Sequence, residues 1–404
     1  MRKRLQGLAL TTSAVALFAG AVSAQEISGG AVRIGVLTDM SSLYADNTGT
    51  GSVLAAQMAI EDFGGTVLGV PVELVSADHQ FRADVAALRS REWFEGGVDM
   101  IVDLPGSSTA EASKEVGREM RRITMITGAG SSALTNEGCS PYSVHWTFDT
   151  YSNANAIAPV LVERGLDRWF FITADYSFGH ALEEDTAAAV TAAGGTVVGS
   201  VRHPPNSADY SSFVVQAQAS GANIIGLANT GADALNTIIA MQEMGLVDQG
   251  MRAALTVGDT LEYRSMGPEL GEGLLSVMAA YWNLNEETAA FSDRFRTRQG
   301  RPPMSTHLGT YTAVLHYLEA VERAGTDDSD AVMAAMRELP INNMMWSEGE
   351  VRIDGRATHE VFVLEGKAEG EMADEWDVAD VVATVPGDVA FRPLSDSLCA
   401  LVTN

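Results

Sequence analysis

Short apolar runs recur along the chain. Each is followed by a small-polar turn and then by a longer stretch with apolar positions three and four residues apart. A short apolar run bounded by turn residues reads as a buried strand, and the 3.6-residue period reads as a helix packed on it. Strands are therefore predicted at 32–37, 72–77, 100–103 and 124–127, then at 169–173, 196–201, 224–228, 254–257 and 275–279. Helices are predicted at 52–62, 84–95, 107–120, 153–164, 177–193, 210–220 and 232–244. This alternation implies α/β architecture with doubly wound parallel sheets and right-handed crossovers. The rhythm occurs twice, over about 32–147 and about 150–275, with no long linker between. Further helices are predicted at 287–299, 305–325 and 329–337. A strand pair over 349–367 turns at Asp354-Gly355-Arg356, and 384–404 reads as irregular.

The first residues follow a different pattern. Arg2, Lys3 and Arg4 precede an apolar run over 8–22, and Val22-Ser23-Ala24 offers small residues for cleavage. These are the elements of a secretory signal, so residues 1–24 are expected to be removed near Ala24. The alternative, a membrane anchor, needs about 20 apolar residues, and no later segment is long and apolar enough either. The expected location is the periplasm, with no direct membrane insertion. No Cys follows the signal to carry a lipid.

Charge and cysteine count narrow the partners. The formal charge is −27, and losing the three basic residues of the signal takes it to −30. Such a chain does not hold phosphate backbones or anionic lipid by charge, so nucleic acid is excluded as a partner. The two cysteines, Cys139 and Cys399, suggest one disulfide in an oxidising compartment, which would tie the tail back to the first half. Two free thiols remain the alternative.

Catalytic and cofactor motifs are missing. Gly49-Thr50-Gly51 follows a strand, but Leu54 stands where a dinucleotide fingerprint needs its third glycine. There is no Gly-x-Ser-x-Gly and no His-Glu-x-x-His, and the seven histidines are scattered. No cofactor, no metal and no enzyme activity are expected. What remains is a set of small-polar loops at strand ends, where open α/β sheets bind ligands. Pro105-Gly106-Ser107-Ser108-Thr109 and Gly128-Ala129-Gly130-Ser131-Ser132 each follow a strand. Capping by Ser explains either loop alone. Two such loops on consecutive strands point to a pocket for a carboxylate, held by hydroxyls and free amides. The second half offers Asp175-Tyr176-Ser177-Phe178-Gly179, Asn229-Thr230-Gly231 and Asp259-Thr260 at its strand ends. Aromatics there suit contact with a flat or branched ligand, or pack the seam between halves.

These residues resemble a known family, the type I periplasmic solute-binding proteins of ABC importers, in the branched-chain amino acid (leucine/isoleucine/valine-binding) group. The stretches that carry the likeness are 34–41, 55–62, 126–135, 174–179 and Gly355-Arg356-x-x-His359, spread over the mature chain. The resemblance implies two lobes joined by three crossover segments, closing over a ligand. Lobe one would be 32–149 plus 283–340, and lobe two 150–282 plus 341–404. Carried over residue by residue, Ser107 and Ser108 resemble the first hydroxyl loop, and Ala129 and Ser131 the pair that grips the ligand carboxylate. Tyr176 matches the aromatic after the first strand of lobe two, Tyr44 a second ligand-facing aromatic, and Asn229 a place often held by an aromatic.

One departure bears on the ligand. Amino acid binders place an acidic residue after the strand at 254–257 to pair with the ammonium. Here the match is Thr260, with Asp259 one residue earlier. A buried ammonium without a partner is costly, so if Asp259 points away, the ligand is a carboxylic acid without an α-amine, aromatic acids included. The implied function is a monomeric receptor that captures a small carboxylate-bearing ligand, an amino acid or an aromatic or other acid, and delivers it to an inner-membrane ABC permease. A ligand-sensing subunit for a membrane receptor or kinase, and a secreted α/β enzyme, stand as alternatives.

Overall fold

A computed structural model describes residues 27–402, so the signal sequence and its cleavage site lie outside the described residues. The first half contains β1 (Val32–Thr38), α1 (Gly49–Phe63), β2 (Thr66–Val67), β3 (Val70–Asp78), α2 (Ala83–Glu95), β4 (Met100–Asp103), α3 (Ser107–Met120), β5 (Ile123–Ile126) and β6 (Ser143–His145). The strands form one sheet in the order β2-β3-β1-β4-β5-β6. All neighbours run parallel except β2, which pairs antiparallel with β3. Strands β4 and β5 are buried along their whole length, as a sheet covered by helices on each side requires.

The second half contains α4 (Thr150–Glu163), β7 (Arg168–Ala174), α5 (Ser177–Ala192), β8 (Thr196–His203), α6 (Ser211–Ala219), β9 (Ile224–Ala228), α7 (Ala232–Glu243), β10 (Arg252–Ala254), α8 (Thr260–Gly271) and β11 (Leu275–Met278). Here a parallel sheet has the order β10-β9-β7-β8. The chain then forms α9 (Glu286–Gln299), α10 (Ser305–Ala324) and α11 (Ser329–Glu338) against the first half, where α10 packs on α1. It continues as β12 (Glu350–Val351), β13 (Ala357–Thr358), β14 (Val361–Gly366), β15 (Ala379–Val385) and α12 (Gly387–Ala390). β14 pairs antiparallel with both β11 and β15, so the second half carries an antiparallel extension. A bridge from Leu255 to Ser276 joins it to the parallel sheet.

The doubly wound α/β reading holds, with local differences. The strand predicted at 254–257 ends at Ala254. Beyond it, Leu255 keeps only a bridge to Ser276 of β11, and the Thr256 carbonyl accepts from Asn153 Nδ2 of α4 at 3.1 Å. Strand β6, helix α8 and strand β15 were not predicted. Helix α8 is broken by Gly267 (φ 69°) and Pro268, which hide its period. β15 is mostly exposed and short of apolar residues on one face.

Three segments cross between the halves and are stitched together. The Trp346 indole donates to the Ala279 carbonyl at 2.6 Å. His359 Nε2 donates to the Trp146 and Thr147 carbonyls at 3.0 Å, and its ring stacks on Trp346 at 3.7 Å. Arg356, fully buried, donates to the Thr147 carbonyl and lies 3.5 Å from the Asp149 carboxylate. One apolar core runs through this junction, from Val36 and Met58 on one side to Trp169 and Leu275 on the other. Cys139 and Cys399 form a disulfide that ties the tail to the loop after β5.

Candidate functional site

The strand tips of the two sheets face one shared cavity. Its first wall is built by the loops after β1, β4 and β5. Asp39, buried at the end of β1, accepts from the amides of Ser42 and Tyr44 at 2.9 Å and from the Ser42 hydroxyl at 2.6 Å. This fastens the loop and projects Tyr44 over the cavity. The loop after β4 holds Asp103, Leu104 and Gly106 at φ 87°, 59° and 83°. A bend this tight in non-glycine residues is strained, and it aims the first turn of α3 at the cavity. No side chain caps that helix end, so its leading amides and partial positive charge face the space.

Ser107 Oγ accepts from the Ser131 amide at 3.0 Å, which leaves its own proton free to donate. In the loop after β5 the carbonyls are turned back into the protein. The Ala129 carbonyl accepts from His145 Nε2 at 2.8 Å, and the Gly130 carbonyl from the Thr150 amide at 2.7 Å. Burial holds the His145 imidazole well below its usual range, so the ring is neutral. With their carbonyls engaged behind the wall, Ala129 and Gly130 line the cavity, and their amides donate to no acceptor among the described residues. Gly130 permits this. An added Cβ would lie 2.6 Å from the Phe148 ring.

The opposite wall is acidic at one end and aromatic elsewhere. Asp259 caps α8. Its Oδ1 accepts from the Thr260 amide and its Oδ2 from the Ser305 amide, each at 2.7 Å. The Asp259 amide donates to Glu262 Oε2 at 2.8 Å, and Glu262 Oε1 accepts from Asn47 Nδ2 of the first half at 3.3 Å. Burial pushes the Asp259 carboxyl up to about 6. Burial, with Asp259 beside it, pushes Glu262 up to about 7. Phe148, Phe178, Val257 and Met278 supply apolar surface. Tyr176, at the start of α5, reaches across to a hydroxyl–hydroxyl hydrogen bond with Tyr44, and burial raises both phenols, which stay protonated.

Of the nine ligand-site residues expected from sequence, the cavity wall takes Tyr44, Ser107, Ala129, Tyr176 and Asp259. Four lie off it. Ser108 faces Ser177 of the other half, hydroxyl to hydroxyl at 3.3 Å. Ser131 is buried behind Ser107 and contributes its amide there. Asn229 is turned into the second half, where its Nδ2 meets His203 Nε2 at 3.0 Å. Thr260 is buried at the first position of α8. Asp259 lines the cavity while both its side-chain oxygens accept backbone amides. Glu262 was missed. Its signal was present: Asp259-x-x-Glu262 is a capping-box spacing, and both halves of that box are made here.

A pair of doubly wound sheets that present their strand tips to one enclosed cavity is the arrangement of a two-lobed ligand-binding protein. The chain belongs to the periplasmic binding protein family, whose profile matches residues 31–371, in its type I, branched-chain amino acid group. It is similar to a periplasmic binding protein of Burkholderia mallei, 42% identical, with a TM-score of 0.90 and 92% of this chain and 99% of that one covered. It is similar also to a branched-chain amino acid ABC transporter periplasmic ligand-binding protein of Burkholderia xenovorans LB400, 35% identical, TM-score 0.83, covering 92% and 100%. A Leu/Ile/Val-binding protein homolog 6 of Brucella melitensis is 25% identical over 370 residues, 88% of this chain and 90% of that one. Among the described residues no helix is long and apolar enough to cross a membrane.

Proposed function

We propose that this protein is the solute receptor of an ABC importer, and that it traps an α-amino acid with an apolar or aromatic side chain by closing two lobes around it. The observation that carries the reading is the polarity of the cavity. Unused amides of Ala129 and Gly130, the Ser107 hydroxyl and the open end of α3 form one pole. The carboxylates of Asp259 and Glu262 form the other. A zwitterion satisfies both. Its carboxylate takes the amides and the helix end, and its ammonium relieves two carboxylates that burial and mutual repulsion destabilise. The aromatic and aliphatic lining takes the side chain.

Closure follows from the division of these poles between the halves. A ligand that touches both walls binds the closed form better than the open one, and so shifts the equilibrium toward it. The lobes in this reading are 32–149 plus 283–340 and 150–282 plus 341–404. The protein works as a monomer in the periplasm after cleavage near Ala24, hands its ligand to an inner-membrane permease and catalyses nothing.

A second reading, an aromatic carboxylic acid without an amine, is favoured by one observation. Both oxygens of Asp259 already accept backbone amides. A calorimetric screen of leucine, valine, phenylalanine and benzoate on purified mature protein decides. Tight binding of an amino acid with none of benzoate supports the first reading, the reverse supports the second, and no binding of any overturns both. Ligand-induced rises in melting temperature give the same ranking by mass action.

A further inference from the structure

The strongest unexplained feature near the cavity is Phe81, which does not line it. Phe81 sits in the short turn between β3 and α2, and both it and Gln80 are in the left-handed region, at φ 53° and 56°. Neither residue is glycine, so the turn is held there against its own preference. Asp78 and His79 hold it. The Gln80 amide donates to Asp78 Oδ1 at 2.7 Å and the Phe81 amide to His79 Nδ1 at 3.1 Å. Asp78 also accepts from the Met40 amide at 3.0 Å and the Ser41 hydroxyl at 2.6 Å, which couples this turn to the loop that carries Tyr44.

The strained turn puts one ring in one place. Phe81 lies edge-on to Tyr44, with centroids 5.4 Å apart and planes at 76°. It lies edge-on to Tyr176 as well, at 5.5 Å and 84°. Both are favourable aromatic geometries. Phe81 also abuts Gly106 at the open end of α3, where an added Cβ would fall 2.5 Å from its ring. Tyr44, Phe81 and Gly106 all belong to the first half, and Tyr176 comes from the second.

We infer that Phe81 and Tyr44 form a socket preset on the first half, and that Phe81 is a positioning residue which captures Tyr176 and so holds the cleft shut. The inference rests on the closure reading above and names the device that sustains it. The socket explains why the turn at 80–81 tolerates strain: relaxing it would swing the ring away from Tyr176. It also separates two tasks. The cavity wall chooses the ligand, and the socket sets how long the closed form lasts.

The test needs no ligand. Photo-oxidative dityrosine cross-linking of the mature full-length protein, followed by peptide mapping, reads how often the Tyr44 and Tyr176 rings meet. The wild type is expected to give a 44–176 cross-link. Phe81→Leu, which keeps apolar bulk but loses the ring, is expected to lower its yield by about threefold or more, on the scale of one lost aromatic pair, with the melting temperature of the empty protein little changed. Equal yields in F81L and wild type overturn the inference, as does a wild type with no 44–176 cross-link. An unchanged circular dichroism spectrum of F81L controls for a general folding defect. Where an amino acid binds, its release rate should rise by a similar factor in F81L, and an unchanged release rate also overturns the inference. Absence of amino acid binding sinks the proposed function while leaving the cross-linking result intact, so the two failures are distinguishable.

Discussion

Acidification is the most direct probe of the two carboxylates in the cavity. Glu262 titrates near 7 and Asp259 near 6 in the enclosed site, both raised by burial. An ammonium-bearing ligand needs them ionised. At pH 8 roughly 90% of Glu262 is ionised and at pH 5 about 1%, and apparent affinity scales with the competent fraction. The dissociation constant of an amino acid should therefore rise about 100-fold from pH 8 to pH 5 through Glu262 alone, or about 2.7 kcal/mol at about 1.36 kcal/mol per pH unit. Asp259 adds up to about another tenfold at the acid end. The sign reverses for an acid without an amine, because an anion tolerates the pair best when it is protonated, so its affinity should improve toward pH 5. Calorimetry at pH 6.5 in phosphate and in imidazole, buffers of different ionisation enthalpy, separates the cases. An amino acid should release protons on binding, and an amine-free acid should take them up. Glu262→Gln should flatten the upper part of the profile and weaken amino acid binding at pH 8 by on the order of 100-fold or more, the scale for stripping one partner from a buried ion pair. An amino acid whose affinity is level from pH 5 to 8, or an E262Q profile as steep as that of the wild type, refutes the assignment of the acidic pole.

Three further outcomes are expected. Ser107→Ala removes a donor to the ligand and the acceptor of the Ser131 amide, and should weaken binding about tenfold, at roughly 1.4 kcal/mol for a hydrogen bond to a charged group, as titration calorimetry would register. Reducing the Cys139–Cys399 bond, which spans 260 residues, should lower stability by up to about 5 kcal/mol on the loop-entropy scale. Melting with and without reductant checks this, and identical curves would show that the link is dispensable. Arg356→Met strands the Asp149 carboxylate in the interior and takes one of two donors from the Thr147 carbonyl. It should cost about 3–5 kcal/mol, about 4–6 °C of melting temperature at the unfolding entropy of a chain this size, and a calorimetric scan without that drop would count against the burial argument.

Much of the fold was readable because the strands that build the two sheets are short apolar runs closed by glycine or small polar residues. The elements that were missed lack that signature. Helix α8 carries Gly267-Pro268 in its last turns. β15 is mostly exposed and lies at a sheet edge, and the three-residue β6 is too short to declare a period. The site was legible to the extent that strand tips are. Ser107, Ala129, Tyr44, Tyr176 and Asp259 stand where chain direction alone would put them. Asn229 also follows a strand, yet its amide is drawn to His203 of β8, a neighbour in space 26 residues back in the chain. Ser131 is displaced because Ser107 uses its amide. Such preferences depend on which strands become neighbours, and local pattern does not carry them. Phe81 is the clearest case, since only the assembled rings of Tyr44 and Tyr176 give its turn a reason.

The apolar core that passes through the crossing segments limits how this molecule can be taken apart. Trp146, Trp169 and Trp346 belong to one continuous cluster that draws residues from both sheets, beside a separate apolar cluster within each half. Fragments cut at the crossings would expose that shared surface, and because the largest cluster is held in common, heating the intact chain should give a single cooperative transition despite its two-sheet plan.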